Sequence, residues 1–242
     1  MTNTQYPMHN KTMNTLSFTK TDDIGHLELN QPPANQMTTE FFSEFNELVD
    51  ELRIMNGLNA IVISSKGRHF SSGADLEELL EQVVKSDEGI HPEMNENWRA
   101  LSEKNYRSFL FFEETEIPVI AAIRGVCIGS AFELVLSSHF RFCAEDAVLG
   151  LPETTFNLMP GLGGIRKIAD LCGQAKAIEL SLKGNTFGAE EALQTHLVDR
   201  IVPRRKVVDF SLAFGRKVMK NYKKQKAPFY LQQIPLDDPF YI

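Results

Sequence analysis

Three times along this chain, a short apolar run passes through a loop into a segment of helical periodicity. HLEL (residues 26–29) is followed by helical spacing to about Met55. NAIVIS (59–64) leads through KGRHFSSG to a helix start at Asp75. PVIAAI (118–123) leads through Gly125 to a helix from near Gly129 to Ser138. Apolar runs of this kind need cover on both faces. Strand–loop–helix passages in series imply crossover connections rather than a meander, and so an α/β fold.

The remaining segments fit around that frame. LSFTKTDDIGHLELN (16–30) reads as two short strands about a turn at residues 22–25. Thr38 or Thr39 can cap the following helix, whose Phe41, Phe42, Phe45, Leu48, Val49 and Leu52 recur at helical spacing. Residues 98–115 read as a helix with aromatic side chains on several sides, and HFRFC (139–143) as a strand. Shorter helices are expected over 165–171, 174–183 and 189–195, a last strand over 198–202, and a helix over 206–222. The expected organisation is a flexible segment at 1–14, a core at 15–203, and a short C-terminal helix and tail at 204–242.

Composition narrows the function. The apolar fraction is 43% and the charged fraction 24%, which excludes disordered and fibrous classes. With 25 basic and 32 acidic side chains the net charge is −7. A nucleic-acid partner is not expected, because phosphate backbones reward clustered Lys and Arg. Cys127, Cys143 and Cys172 are odd in number and far apart, which fits neither a disulfide framework nor a zinc site. No run reaches the length of a membrane span, and the polar first residues lack a signal core. The expectation is a cytoplasmic protein with no membrane partner and no metal.

Three segments carry chemistry. In SSGADL (71–76), small residues and a glycine precede a helix start, where outward backbone amides can bind an anion. The same letters also describe a plain Asx-capped helix. In IRGVCIGSAFEL (123–134), a strand runs through glycines into a helix, with Glu133 in its first turns. That carboxylate either handles protons beside an anion site or complements the helix dipole. In LGLPE (149–153), Pro152 restrains the backbone before Glu153. Apolar neighbours would raise the pKa of Glu153, as a proton donor needs, whereas an isolated loop glutamate is ordinarily exposed. MPGLGG (159–164) follows, with glycines that allow close packing.

Taken in order, these segments resemble the enoyl-CoA hydratase/isomerase family, the crotonase fold. The shared order is [S/A]-G-A-D-[L/I], then P-V-I-A-A-x-x-G-x-x-x-G-x-x-x-E-L, then G-x-P-E, then P-G-x-G-G. LNQPPANQM (29–37) is similar to the family's entry segment, and GAEEA (188–192) with LVD (197–199) to its later one. The resemblance covers about residues 16–203 and implies a crotonase-like ββα superhelix core with a shortened C-terminal helical region. It implies an oxyanion hole made by the backbone N–H groups of Ala74 and Ser130, and proton transfer by Glu133 and Glu153. Preorganised donors stabilise an enolate more than a neutral carbonyl, and losing one costs roughly 3 kcal/mol. Ala34, Gly73, Asp75 and Leu76 correspond to the coenzyme A cradle. The implied ligand is an acyl-CoA thioester, with no cofactor beyond the coenzyme A of the substrate.

Two departures from the family pattern stand out. Its usual G-G-G is here Gly129–Ser130–Ala131, whose side chains narrow the approach to the amide. Its longer helical tail is shortened, which bears on pocket closure and assembly. Hydration of a 2-enoyl-CoA is the expected activity; double-bond isomerisation and a non-catalytic acyl-CoA-binding subunit are the alternatives. Trp98, Phe109, Phe111 and Phe112 could line an acyl pocket, though core packing is the expectation for most of them. The Asn-rich stretch 85–97 reads as a mobile lid. The resemblance implies a homotrimer or hexamer, with the apolar surplus of Leu162, Ile165, Ile168, Leu171, Ile178 and Leu180 buried against a neighbour.

Overall fold

A computed structural model describes residues 10–78 and 96–225. Among the described residues, seven strands make the main sheet. β1 (Asn10–Thr12), β2 (Leu16–Thr21) and β3 (Ile24–Leu29) pair antiparallel; β4 (Ala60–Ser65), β5 (Val119–Ile123), β7 (Phe140–Ala144) and β10 (Arg200–Val202) continue from β3 in parallel, in the order β1-β2-β3-β4-β5-β7-β10. The parallel pairs are those that the apolar runs and crossovers require: β4 and β5 are buried along their whole length.

The period of two sorts β4 between two cores. Ile61 and Ile63 point into a large cluster with Phe41, Phe45, Leu48 and Val49 of α1 (Thr39–Ile54) and with Phe109 and Phe112 of α2 (Glu96–Glu114). Ala60 and Val62 point the other way, with Ile120, Ala122, Phe140 and Phe142, and are covered by Val207 and Phe214 of α7 (Val207–Gln225). Gly215 lets α7 lie close to the sheet: a Cβ there would meet the Ala60 Cβ at 3.3 Å and the Ile120 Cδ1 at 3.4 Å. Thr38 caps α1, its hydroxyl accepting from the Phe41 amide. Phe109 and Phe112 are core residues, and Phe111 lies under the Arg53 guanidinium, 5.1 Å from its ring centroid. The side chain of Trp98 is outside the described residues.

Two expectations are corrected. Asn10–Thr12, within the segment expected to be flexible over 1–14, is a strand paired to β2. It is held further by Lys11, paired to Glu47 and Glu51 of α1. A second, three-stranded sheet was also not anticipated. It is built from β6 (Val126–Ile128), β8 (Val148–Gly150) and β9 (Thr186–Gly188) in the order β6-β8-β9. Around it lie α3 (Ser130–Leu136), α4 (Gly164–Cys172), α5 (Gln174–Lys183) and α6 (Ala189–Gln194). The stretch read as a lid, 85–97, lies outside the described residues except for positions 96 and 97, which open α2.

The supposed apolar surplus over 161–183 mostly turns inward. Ile168, Leu162 and Leu180 are buried in the chain's own core, and Ile165 and Leu171 pack against it. Ile178 remains exposed, and Leu182 joins it one turn on.

Candidate active site

The site forms where the small sheet meets two glycine turns. Residues 71–74 run beside β6: Ser71 bridges Cys127, its amide donating to the Val126 carbonyl at 3.0 Å and its carbonyl accepting from Ile128 at 3.3 Å. On the other side Met37 bridges Ala74, and the Ser72 amide donates to the Ala34 carbonyl at 2.9 Å. Ala34 thus touches the segment through its backbone. The two turns meet at Gly73 (φ +84°) and Gly129 (φ +59°). A Cβ on Gly73 would lie 2.7 Å from the Ile128 carbonyl oxygen and 3.4 Å from the Ser130 nitrogen, so glycine is required by space as well as by backbone angle.

This contact brings the Ala74 and Ser130 segments together. Ser130 is the first residue of α3, where an amide has no partner within the helix. Neither its N–H nor that of Ala74 donates a hydrogen bond among the described residues. Asp75 also does what its plain structural reading expected: its Oδ1 accepts from the Glu77 and Glu78 amides, capping the helical turn that contains Leu76. Glu78 in turn accepts from the Thr39 amide and hydroxyl, tying this turn to α1.

Glu133 lies in α3 at 1% exposure. Its Oε1 accepts two backbone N–H bonds, from Leu162 and from Gly164, both at 2.9 Å. Burial and, more weakly, the nearby Glu153 push its pKa up, the two amides and the Lys167 ammonium oppose this, and the result is about 7. Glu153 opens a 3₁₀ turn (Glu153–Phe156) behind Pro152 and β8. Its Oε1 lies 3.4 Å from where a Cβ on Gly129 would stand. Its Oε2 is buried with no hydrogen-bond partner among the described residues, and burial raises its pKa. The exposed loop carboxylate of the plain reading is not what this residue is.

The Glu153 carboxyl thus faces the glycine turn that leads into the Ser130 amide, and Glu133 lies near enough to feel its charge. Burial raises the pKa of both above that of a surface glutamate, the direction that general acid–base chemistry requires. Sequence reasoning did not find the amides of Leu162 and Gly164. The glycine pair was the available signal: a Cβ on Gly164 would lie 2.7 Å from the Glu133 Cγ, so only glycine admits that carboxyl. Among the described residues no group of three or more His, Cys, Asp or Glu could hold a metal ion. Nor is any helix there long and apolar enough to cross a membrane.

Comparison with known proteins gives one consistent result. The family model described as Enoyl-CoA hydratase/isomerase matches residues 19–229. A protein of Bacillus subtilis (strain 168) named "Probable enoyl-CoA hydratase" is 34% identical over 186 residues, covering 77% of this chain and 68% of its own. The peroxisomal Delta(3,5)-Delta(2,4)-dienoyl-CoA isomerase of Arabidopsis thaliana is 29% identical over 201 residues, covering 82% and 72%. The fatty acid oxidation complex subunit alpha of Shewanella amazonensis (strain ATCC BAA-1098 / SB2B) is 32% identical over 220 residues. That match takes in 88% of this chain, which spans only 30% of the subunit's length. Among solved structures, the enoyl-CoA hydratase of Bacillus anthracis superposes with a TM-score of 0.74 at 28% identity, covering 85% and 76%. A Thermobifida fusca YX protein solved in complex with CoA gives 0.73 at 27% identity, covering 85% and 79%. The fold is the crotonase fold.

Proposed function

This chain belongs to the enoyl-CoA hydratase/isomerase family, and we propose that it adds water across the double bond of a 2-enoyl-CoA. The observation that carries this reading is the buried Glu133 carboxyl and the Glu153 carboxyl with its buried Oε2, beside two backbone amides that have no partner among the described residues. In this reading the Ala74 and Ser130 amides hold the thioester oxygen and stabilise the enolate that forms as oxygen attacks C3. The carboxyls hold the water between them.

The division of labour follows from their partners. Glu133 accepts two N–H bonds on one oxygen, which oppose the rise that burial imposes on its pKa and leave Oε2 for the water. Glu133 then takes the proton of the attacking water. Glu153, whose buried Oε2 has no partner among the described residues and whose pKa burial raises, supplies the proton to C2. The net change is one water added, and a proton returns from Glu133 to Glu153 through the next water bound. Ala34, Gly73, Asp75 and Leu76 border the segment where coenzyme A would lie; the likeness to a protein solved with CoA supports this.

Isomerisation is the second reading, favoured by the likeness to a dienoyl-CoA isomerase. A non-catalytic subunit is disfavoured, because buried carboxyls without a use are costly. A panel of short, long and cyclic enoyl-CoA thioesters, followed by double-bond absorbance and product analysis, separates the readings. Hydration of at least one 2-enoyl-CoA is expected. If none gains water while a 3-enoyl-CoA shifts its double bond, the isomerase reading replaces it. We further propose a closed trimer in a reducing, cytoplasmic setting: the three cysteines are free, and Ile178 and Leu182 present apolar surface.

A further inference from the structure

Behind Glu133 lies a second charged group that the reaction as proposed does not use. α4 begins at Gly164, whose amide holds the Glu133 carboxyl. One turn on, Lys167 is only 3% exposed, an unusual depth for a lysine. Its stem runs along the turn before α4: the Lys167 Cε lies 3.8 Å, and a Tyr106 ring carbon 2.9 Å, from where a Cβ on Gly163 would stand. Gly163 takes φ +92°, so the chain enters α4 through a slot between these two side chains. The Lys167 ammonium binds Glu113, near the end of α2. Arg166 closes on the same carboxylate from the solvent side, at 2.8 and 3.0 Å. Just past that end of α2, the Val119 amide donates to the His139 Nδ1 at 3.0 Å.

We propose that the Glu113–Lys167 pair is a positioning device for Glu133. It pins the first turn of α4, so that the Leu162 and Gly164 amides stay aimed at the carboxyl, and it keeps a cation behind that carboxyl. Two observations fit this and do not follow from stability alone. Glu113 binds two cations, yet only one of them faces solvent; an exposed Arg166–Glu113 pair would have anchored α4 without burying Lys167. Burial of a lysine is expensive, and a pair of nonpolar residues would fill the space at lower cost. Besides burial and the two amides, the charged groups acting on Glu133 are Glu153 from the turn after β8, which disfavours its charge, and, more weakly, Lys167 from α4, which favours it. Lys167 is thus the counterweight to the second catalytic carboxyl.

The proposal rests on the reading of Glu133 as the base, and its test is chosen to stand apart from activity. The measurement is the titration of the Glu133 carboxyl by carbon-13 NMR of glutamate-labelled protein, with the signal assigned by its loss in Glu133→Gln. Lys167→Gln removes the cation and keeps a donor for Glu113. The Glu133 midpoint should then rise by about half to one pH unit, since a like-charge neighbour remains and its counterweight is gone. Lys167→Arg should return it to the wild-type value. The acid limb of the kcat profile should move with the midpoint, and KM should change little. An unmoved midpoint in folded Lys167→Gln overturns the proposal. If that variant does not fold, Glu113→Gln takes its place: it must displace the Glu133 midpoint, and an unchanged one overturns the proposal equally. A wild-type protein that hydrates no enoyl-CoA but shows the shift would sink the functional reading and leave the positioning pair standing.

Discussion

Gly164→Ala puts the geometry of the site to its hardest test. A methyl group there would stand 2.7 Å from the Glu133 Cγ and 3.0 Å from its Oε1. Carbon atoms rest at about 3.5–4.0 Å, so roughly 1 Å must be found. The backbone of Gly164 is not in the left-handed region, so alanine is not excluded by its own conformation and the effect is purely one of space. Neither partner yields easily. α4 is tied to α2 through Lys167 and Glu113, and α3 is buried through Ala131, Phe132, Leu134 and Val135 on both sides of Glu133. The carboxyl must therefore swing away from the two amides that hold it. A displacement of that size at a catalytic group costs about 10²-fold in rate, and overpacking of this kind costs about 1–3 kcal/mol in stability. Steady-state kinetics on a 2-enoyl-CoA should show kcat down by about two orders of magnitude, with KM far less affected. Gly161→Ala is the control, because nothing lies within 4 Å of a Cβ there. A folded Gly164→Ala protein with the kcat of wild type would refute the account of how Glu133 is held.

Glu133→Gln and Glu153→Gln should each lower turnover by about two to four orders of magnitude, the range for loss of a general acid or base; near-normal rates in both would remove them from the mechanism. Stability should also report on Glu133. Its pKa rises from 4.5 to about 7 on folding, so the folded state binds the proton more tightly and loses stability as pH rises across that window. Glu133→Gln should remove roughly 3 kcal/mol of this pH dependence, read as the change in denaturant unfolding between pH 4 and pH 8 relative to wild type; identical pH dependence would mean that the carboxyl is not perturbed in the fold. Light scattering at micromolar concentration should give a trimer mass, and a monomer mass would show that Ile178 and Leu182 have no neighbour in solution.

What could be read from the letters was whatever repeats locally. The parallel core was legible because β4 up to Ile63 and the whole of β5 are apolar without alternation, and only a sheet covered on both faces accepts such strands. Helix α1 was legible from its phenylalanines and its Thr38 cap. The small sheet was not: β6, β8 and β9 have three residues each, too few for a period of two to register. Its partners are set by distant chain, as in the Ser71 bridge to Cys127. At the site the same division holds. The order of the glycine turns and glutamates was visible, and carried the family likeness. The bonds that set the chemistry were not, since Glu133 is held by amides 29 and 31 residues away, and an amide has no letter of its own.

Lys167 marks the limit most sharply. In the sequence it sits in a short amphipathic helix beside Arg166, and the two basic residues look equivalent. The fold makes them opposite: one is buried along the Gly163 turn behind Glu133, the other faces solvent, and both bind one glutamate. Their difference arises only because Gly163 and Gly164 bring α4 against α3 closely enough for the second side chain to be trapped inside. Gly164 admits the Glu133 carboxyl and the adjacent Gly163 lies against the Lys167 stem, so carboxyl and cation are seated by one glycine pair and a change at either should be felt by both.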